Sequence, residues 1–414
     1  MLSARLQREV SVSECGFADC APPGEDPYDG LRCSGTLEGT VRTVVELSGR
    51  DMRRRKFLLG SAFSAAAFAE PALFALTVPP APSTARTAGG RRVGMADVEV
   101  LTEQITHLNK LQHQYGSGRV REQMVALLHR ETNQLLHGSY AEKTGKALLS
   151  AVARATRSAG FMTADVGRHA LAQRYHIQAL DLAMRAGDRC YAADVLGCMC
   201  RLTARIGENA PASQDTLRHG RQAVALARAG LTVAQGTATA ALAAQLHALE
   251  GRGFALLGDA REARRAVLAA QRSYESLRPE NEPPWMSFYT EANLVSDLGR
   301  CLSGIGETEQ AITLTTAALR GCEPWRVRGR CVDQTDLAIA HLLARDPEQA
   351  AAFGRDALRT AADVSSTITV DRLRTLQRQV HSLRSASPAC ADLDDRITDH
   401  LARTARRRPD DTVL

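Results

Sequence analysis

Apolar residues recur at helical spacing from Ala96 to near the end of the chain, and glycines mark where each run stops. Leu101, Ile105 and Leu108, for example, precede a break at Gly116. Spacings of three and four residues place side chains on one face of an α-helix, whereas a β-strand requires alternation with a period of two. Because no segment sustains that alternation, the sequence predicts an all-α protein.

The composition favours helices that pack closely. Hydrophobic residues make up 44% of the 414 residues but aromatic residues only 4%, so alanine and leucine supply most of the core. That balance favours helices over a β-sandwich. After the helices that end at Gly116 and Gly138, further helices are predicted at roughly 140–163, 168–186, 189–206, 213–229, 235–257, 260–277, 287–305, 308–320, 328–344, 347–362, 369–384 and 390–406.

A repeated spacing indicates that these helices form hairpins. In three places a turn residue precedes an alanine by five positions, namely Gly258 and Ala263, Gly306 and Ala311, and Arg345 and Ala350. An acidic residue follows each turn and favours the positive end of the next helix, while the small alanine allows close approach to the previous helix. The segments GDAREARRA, GETEQAITL and RDPEQAAAF resemble tetratricopeptide repeats, which are helical hairpins that stack into a solenoid.

The repeats are irregular in length. The three turns lie 48 and 39 residues apart, whereas the period of the tetratricopeptide family is about 34 residues. We therefore expect inserted or lengthened helices. Pro284-Trp285 and Pro324-Trp325 each introduce the first helix of a hairpin, and we interpret each tryptophan as a core plug between successive hairpins.

Composition divides the chain into four parts, which give a helical-hairpin solenoid with an irregular N-terminal segment and linker. We predict a loop-rich N-terminal segment over 1–50 with a short helix from Leu2 to Val12, an apolar helix plus a Pro/Gly-rich linker over 51–95, a tetratricopeptide-like solenoid over 96–408, and a disordered tail over 409–414.

Residues 53–76, RRRKFLLGSAFSAAAFAEPALFAL, have the features of a twin-arginine export signal: paired arginines followed by an apolar run of small residues. Such a signal belongs at an N-terminus, and Met52 directly precedes the arginines. An exported helical-repeat binding protein that starts at Met52 is therefore one alternative to a cytoplasmic protein. The apolar run over 57–69 is too short for a membrane span of about 20 residues, and Glu70-Pro71 closes it.

A wider resemblance covers about residues 2–408. DPYDGL at 26–31, SGT at 34–36, RRKFL at 54–58 and the helical array resemble actinobacterial regulatory proteins of the Streptomyces type. In that family an N-terminal helix-turn-helix domain is joined through a Pro/Ala-rich connector to a tetratricopeptide-like domain. Some relatives are negative regulators of differentiation, including sporulation, and of antibiotic production.

The resemblance implies a cytoplasmic protein in which the RRKFL segment is an uncleaved part of the connector. The apolar side chains that would then dock on the array are Phe57, Leu58, Phe63 and Phe68. Residues 1–50 contain no pair of helices joined by a tight turn, so DNA binding cannot be carried over from the family. Two alternatives stay open: a regulator that works without DNA, and a transcription factor whose DNA-binding domain is lost through a late start.

The sequence contains no recognisable catalytic, cofactor or metal motif. Its ten cysteines form no C-x-x-C pair, and those in helices fit the buried thiols of a reduced cytosolic protein. Gly145-Lys146 lacks the spacing of a phosphate-binding loop, and His129 lacks the second histidine of a zinc-binding helix. The net charge of +6 is too mild to indicate nucleic acid by itself. We therefore expect a non-enzymatic protein without cofactor, metal or membrane span, and DNA binding only if an N-terminal domain is restored.

The first helices of stacked hairpins line an inner groove, where long polar side chains can hold an extended peptide. Aligning the two Pro-Trp units places Asn293 opposite Asp333. We expect a protein or peptide ligand, whose binding changes the curvature of the array or its assembly into a homo-oligomer. The predicted groove residues are Arg252, Tyr289, Asn293, Asp297, Arg326, Arg330, Asp333 and Gln334.

Overall fold

The computed structural model of the chain describes residues 29–52, 62–78, 84–87 and 90–406. In these ranges the backbone forms sixteen α-helices and no β-strand, which confirms the all-α prediction. The helices are α1 (Leu37–Met52), α2 (Ala69–Thr77), α3 (Met95–Tyr115), α4 (Arg121–Leu135), α5 (Glu142–Asp165), α6 (His169–Ala186), α7 (Arg189–Glu208), α8 (Ser213–Val233), α9 (Ala240–Leu256), α10 (Ala260–Glu275), α11 (Glu291–Gly304), α12 (Thr308–Gly321), α13 (Val327–Leu343), α14 (Pro347–Ala361), α15 (Thr367–Ser382) and α16 (Pro388–Arg406).

From α5 onward, consecutive helices pack in pairs. The hairpins are α5/α6, α7/α8, α9/α10, α11/α12, α13/α14 and α15/α16. The first helices of neighbouring hairpins also contact one another, as α7 does with α9 and α9 with α11. Hairpins that pack side by side in this way form a helical-hairpin solenoid, as the sequence predicts.

The predicted turn residues adopt the left-handed backbone conformation that ends a helix. Their φ angles are 71° at Gly258, 81° at Gly306 and 61° at Arg345. In each turn the backbone N–H of the next residue donates to a carbonyl near the end of the first helix, at 2.9 to 3.0 Å. This bond satisfies a carbonyl that the helix itself leaves unpaired.

Small residues then allow the two helices of a hairpin to approach closely. The alanines five positions after the turns, Ala263, Ala311 and Ala350, are all fully buried. In α11 a Cβ placed on Gly299 would lie 2.4 Å from the Thr315 Oγ1 atom of α12, so a larger residue does not fit there. The predicted role of these positions in close helix packing is confirmed.

A long connection explains the unequal spacing of the turns. Residues 276–290 join α10 to α11 and contain two short 3₁₀ turns, Pro279–Asn281 and Pro284–Met286. Within it, the Trp285 ring packs edge to face on Tyr191 of α7, with ring centroids 4.9 Å apart. Trp325 instead packs on His113 of α3, with centroids 5.6 Å apart, so its ring contact is with a helix that precedes the first hairpin.

The N-terminal part contains a helix that the sequence analysis did not predict. Helix α1 crosses the boundary drawn at residue 50, and it packs on α4 and α6 with Val44 and Leu47 buried. The described part of 1–50 is therefore mainly helical and belongs to the core of the array. The predicted helix from Leu2 to Val12 lies outside the described residues.

The apolar segment before the linker packs against the array, but as a different element from the one predicted. Phe68 is fully buried at the end of a 3₁₀ turn, and the Phe63 ring lies 5.9 Å from it. Pro71 lies in the first turn of α2, where a missing N–H is tolerated, so Glu70-Pro71 begins a helix and does not close one. Residues 53–61, with Phe57 and Leu58, lie outside the described residues.

The described residues of the linker contact the connection between α4 and α5. Arg86 pairs with Tyr140, and Arg92 pairs with Ser139, each through an isolated backbone bridge. The backbone N–H of Thr84 also donates to a carboxylate oxygen of Glu142 at 2.8 Å. These contacts fix parts of the linker on the surface of the array.

Candidate functional site

The first helices of the six hairpins carry polar side chains that meet on the inner side of the array. In α7, Arg201, Arg205 and Glu208 follow one another at helical spacing in a helix whose side chains are mostly apolar. We call the complete set the inner cluster. Its arginines are Arg157, Arg201, Arg205, Arg252, Arg300, Arg326, Arg328 and Arg372, and its acidic residues are Asp165, Asp194, Glu208, Asp297, Asp333 and Asp336.

Ion pairs of the inner cluster connect α7 to three other first helices. Arg157 of α5 lies 3.2 Å from Asp194. Arg252 of α9 donates to both carboxylate oxygens of Glu208, once at 2.8 Å. Arg201 reaches across to Asp297 of α11 at 3.3 Å. Because each pair joins two helices, the inner cluster fixes the hairpins relative to one another.

A second group of pairs connects α11, α13 and α15. The Arg300 guanidinium donates to Asp336 through two nitrogen atoms, at 2.9 and 2.7 Å. The other carboxylate oxygen of Asp336 accepts from Arg372 of α15. Ser296 of α11 donates its hydroxyl hydrogen to Asp333 of α13. The polar contacts therefore continue from one hairpin to the next.

The array curves until its two ends touch. The Asp165 carboxylate, at the end of α5, accepts from the Ser366 hydroxyl at 2.5 Å and from the Ile368 backbone N–H at 3.2 Å, where α15 begins. Asp165 also lies 3.5 Å from Arg328 of α13. The inner face is consequently enclosed, and most of its side chains are buried.

Burial and neighbouring charges act in opposite directions on the acidic groups. Burial by itself would raise the pKa of Glu208, but Arg252 and Arg372 outweigh it and lower that pKa to about 2. Burial dominates at Asp333 and raises its pKa to about 7, with Asp336 adding to the effect. Near neutral pH the inner cluster therefore contains an ionised Glu208 and an Asp333 that is partly protonated.

The structure brings six of the eight predicted groove residues into this region. Arg252, Asp297, Arg326 and Asp333 belong to the inner cluster, Tyr289 donates to Asp297 at 3.4 Å, and Asn293 accepts from Arg326. Asn293 and Asp333 occupy equivalent positions in the two aligned Pro-Trp units, and Asp333 accepts from Ser296, about one helical turn after Asn293.

The other two predicted residues contact different parts of the chain. Arg330 donates to the Cys322 carbonyl at 3.1 Å, and Gln334 accepts from Thr360 of α14 at 2.7 Å. All eight side chains thus have partners within the protein. Whether they also contact a ligand stays a prediction.

Sequence reasoning missed several members of the inner cluster. Glu208, Arg300, Asp336 and Arg372 are as central as the residues that were named. The sequence does contain a signal for these residues, because charged residues three or four positions apart stand within alanine-rich helices. The alignment of the two Pro-Trp units did not use that signal.

Two surface grooves lie apart from the inner cluster. One, of about 440 Å³, lies between α10 and α12 and is lined by apolar Val267, Leu268 and Leu314 among polar neighbours. The other, of about 700 Å³, lies between α1 and residues 84–87. Neither brings together charged groups from as many helices as the inner cluster, which is why we take the inner cluster as the candidate site.

Comparisons with known proteins and a search of the described residues for other kinds of site gave the following results. A scan against models of protein families and a search of curated proteins both found no match. Within the described ranges, no three His, Cys, Asp or Glu side chains are placed to hold a metal ion, and the eight cysteines there are free thiols. No helix in that part of the chain is long and apolar enough to cross a membrane.

Proposed function

We propose that this chain is a non-enzymatic regulatory protein that binds a protein or peptide through the inner face of its helical array. The observation that supports the proposal is the inner cluster, in which polar side chains from six successive first helices lie side by side. Such a surface offers donors and acceptors at intervals along an extended ligand.

The closed curvature of the array supplies a route from binding to regulation. The ends of the array meet where Asp165 contacts Ser366, so a ligand that displaces inner contacts also changes how the ends meet. The changed curvature, or a change in self-association, then signals that the ligand is bound. The resemblance to actinobacterial regulators supports a role in differentiation or secondary metabolism, which disruption of the gene and measurement of the affected transcripts would test.

Selection of random displayed peptides against the purified full chain tests the binding proposal. The informative variant combines Arg201→Gln with Asp297→Asn, because it removes an inner ion pair but keeps groups that can hydrogen-bond. We expect about ten-fold weaker binding of selected peptides, measured by fluorescence anisotropy. The matched control combines Arg265→Gln with Glu262→Gln on α10, where the Arg265 side chain is 78% exposed.

Two results would overturn the proposal. One is that no peptide binds. The other is that selected peptides bind the inner double variant and the α10 control equally well, which would place their site elsewhere.

A further inference from the structure

Within the described ranges, two arginines of the inner cluster are buried and form no ion pair with a carboxylate. Arg326 donates to the Phe288 carbonyl at 3.2 Å and to the Asn293 side-chain oxygen, and its buried Nε atom has no hydrogen-bond partner in the described part of the chain. Arg205 donates to the Ala164 carbonyl at 2.7 Å. Each arginine is only 9% exposed, so solvent contributes little to balancing its charge.

The remaining contact of Arg205 is also neutral. One of its terminal nitrogens lies 2.9 Å from His169 Nε2. Burial, with a further contribution from Arg205, lowers the pKa of His169 to about 4, so this imidazole is uncharged near neutral pH. Burial likewise lowers the pKa of Arg205 itself, because Asp165 and Asp371 compensate for it only in part.

A third arginine has a partner that is shared. Arg328 is 8% exposed and lies 3.5 Å from the Asp165 carboxylate, which also accepts from Ser366 and from two backbone N–H groups. Its guanidinium lies over the Phe161 ring at 4.9 Å. Burial, and the nearby charge of Arg326, lower the pKa of Arg328 to about 10 although Asp165 acts in the opposite direction.

An excess of buried positive charge is costly unless an anion balances it. Removing one partner from a buried ion pair is strongly destabilising, because the other charge is left without compensation. The charges of Arg326 and Arg205 both act on Arg328 in this interior. The neighbouring Arg201 side chain is 27% exposed and Arg157 is 17% exposed, so solvent reaches the edge of the cluster.

We infer that Arg205, Arg326 and Arg328 form a site for the carboxylate groups of an acidic peptide. The inference rests on the proposed function and specifies the chemistry of the ligand. Each guanidinium can donate two parallel hydrogen bonds to a carboxylate, a geometry that a lysine does not offer. The bound carboxylate would supply negative charge that Arg205 and Arg326 do not receive from an ion pair in the described residues, and that Arg328 receives only from the shared Asp165.

Three labelled peptides of equal length test the inference on the full chain: one rich in Glu, the same sequence with every Glu replaced by Gln, and the same sequence with Lys. We expect the Glu peptide to bind at least about ten-fold more tightly than the Gln peptide at low salt. Added salt should reduce this preference, because part of it is electrostatic. Anisotropy titrations measure both effects.

The decisive variant is Arg326→Gln, which keeps a hydrogen-bond donor but removes the charge. We expect it to bind the Glu peptide about ten-fold more weakly, and to melt at a higher temperature than the original protein when no peptide is present. A purely structural arginine would give a lower melting temperature instead. Arg326→Lys keeps the charge but lacks the planar guanidinium, so it should show an intermediate loss of binding. Arg265→Gln should change neither the affinity for the peptide nor the melting temperature.

The possible failures separate this inference from the proposed function. Equal binding of the Glu and Gln peptides, with both weakened by the Arg201→Gln and Asp297→Asn pair, would overturn the acidic site and leave peptide binding in place. Full displacement of the Glu peptide by millimolar inorganic phosphate would also overturn it, because a small anion would then suffice. If no peptide bound the full chain, including peptides selected from a random library, both proposals would be overturned.

Discussion

Hairpins α5/α6 and α7/α8 share one apolar core with α1 to α4, whereas α13 to α16 enclose a core of their own. In the first region Tyr175, Leu180 and Leu196 are fully buried within a continuous apolar cluster. In the second, Leu373 and Leu393 belong to a separate cluster formed by α13 to α16 alone. The C-terminal hairpins are thus a distinct packing unit within the same solenoid.

The contacts between this C-terminal unit and the rest of the array include many that are polar. We call them the polar joint: Ser296 with Asp333, Arg300 with Asp336, and Asp165 with Ser366 and Arg328. Apolar packing is non-directional, whereas hydrogen bonds and ion pairs demand one geometry. The comparison indicates that apolar cores stabilise each unit and that the polar joint determines how the units are oriented.

Removal of the Asp165 carboxylate should have the largest effect on the polar joint. Asp165→Ala removes the ion pair with Arg328 and the acceptor for Ser366 and Ile368. We expect a loss of about 3–5 kcal/mol in the free energy of unfolding. Hydrogen exchange should accelerate first around residues 363–368. Asp165→Asn keeps one acceptor oxygen and should therefore lose less of the free energy of unfolding. Equal hydrogen-exchange rates in the original protein and both variants would contradict the assigned role of this carboxylate.

Paired core substitutions test whether the two cores are separate. Leu180→Ala and Leu373→Ala each remove a fully buried side chain, from the first and second core respectively. We expect each to cost about 2–5 kcal/mol. Because the clusters are distinct, hydrogen exchange should accelerate mainly within the substituted unit. If either substitution accelerated hydrogen exchange equally in both units, the two units would have to unfold together as one cooperative unit.

The sequence predicted the regular hairpins well because their signals are local. The turn residues Gly258, Gly306 and Arg345 and the seams of small residues lie within short segments. Helix α1 escaped prediction because its sequence contains Gly39, Gly49 and several β-branched residues, which form isolated helices poorly. Packing of its Val44 on the array overrides that local weakness.

The candidate site was predicted only in part because its geometry is non-local. Polar residues on first helices were found from the sequence, among them Arg252 and Asp297. The contact between Asp165 and Ser366, however, joins positions 201 residues apart. This contact forms only because the hairpins between Asp165 and Ser366 together curve the array. No single sequence motif predicts that curvature. Enclosure of the inner face could therefore be seen only in the structure.

The pH dependence of stability should distinguish the polar joint from the apolar cores. Burial raises the pKa of Asp333 from 3.8 to about 7, so the folded protein retains a proton that the unfolded chain releases. This group therefore lowers stability progressively as the pH rises between these two values. We expect Asp333→Asn to be more stable than the original protein by on the order of 2 kcal/mol at about pH 8, and almost equal to it near pH 4.

A neighbouring acid provides the control for that measurement. Asp336 accepts from Arg300 and Arg372, so Asp336→Asn removes the counter-charge of two arginines and should lower stability where Asp333→Asn raises it. Thermal melts across the pH range compare the two variants. A constant difference between Asp333→Asn and the original protein at every pH would show that Asp333 does not titrate in this window.

The smallest expected effect concerns the turn inside the C-terminal unit. Arg345 is the only non-glycine residue with positive φ in the described part of the chain, and the two preceding hairpins have glycine at this position. A side chain in the left-handed conformation is strained, so Arg345→Gly should stabilise the protein by about 1 kcal/mol. Arg345→Ala is the matched control, because it removes the guanidinium but retains a Cβ. Since the turn joins α13 to α14, slower hydrogen exchange should be confined to the C-terminal unit. If exchange slowed equally in α5 to α8, the C-terminal hairpins would not behave as a separate unit. If Arg345→Ala gave the same gain in stability, that gain would not come from relief of backbone strain.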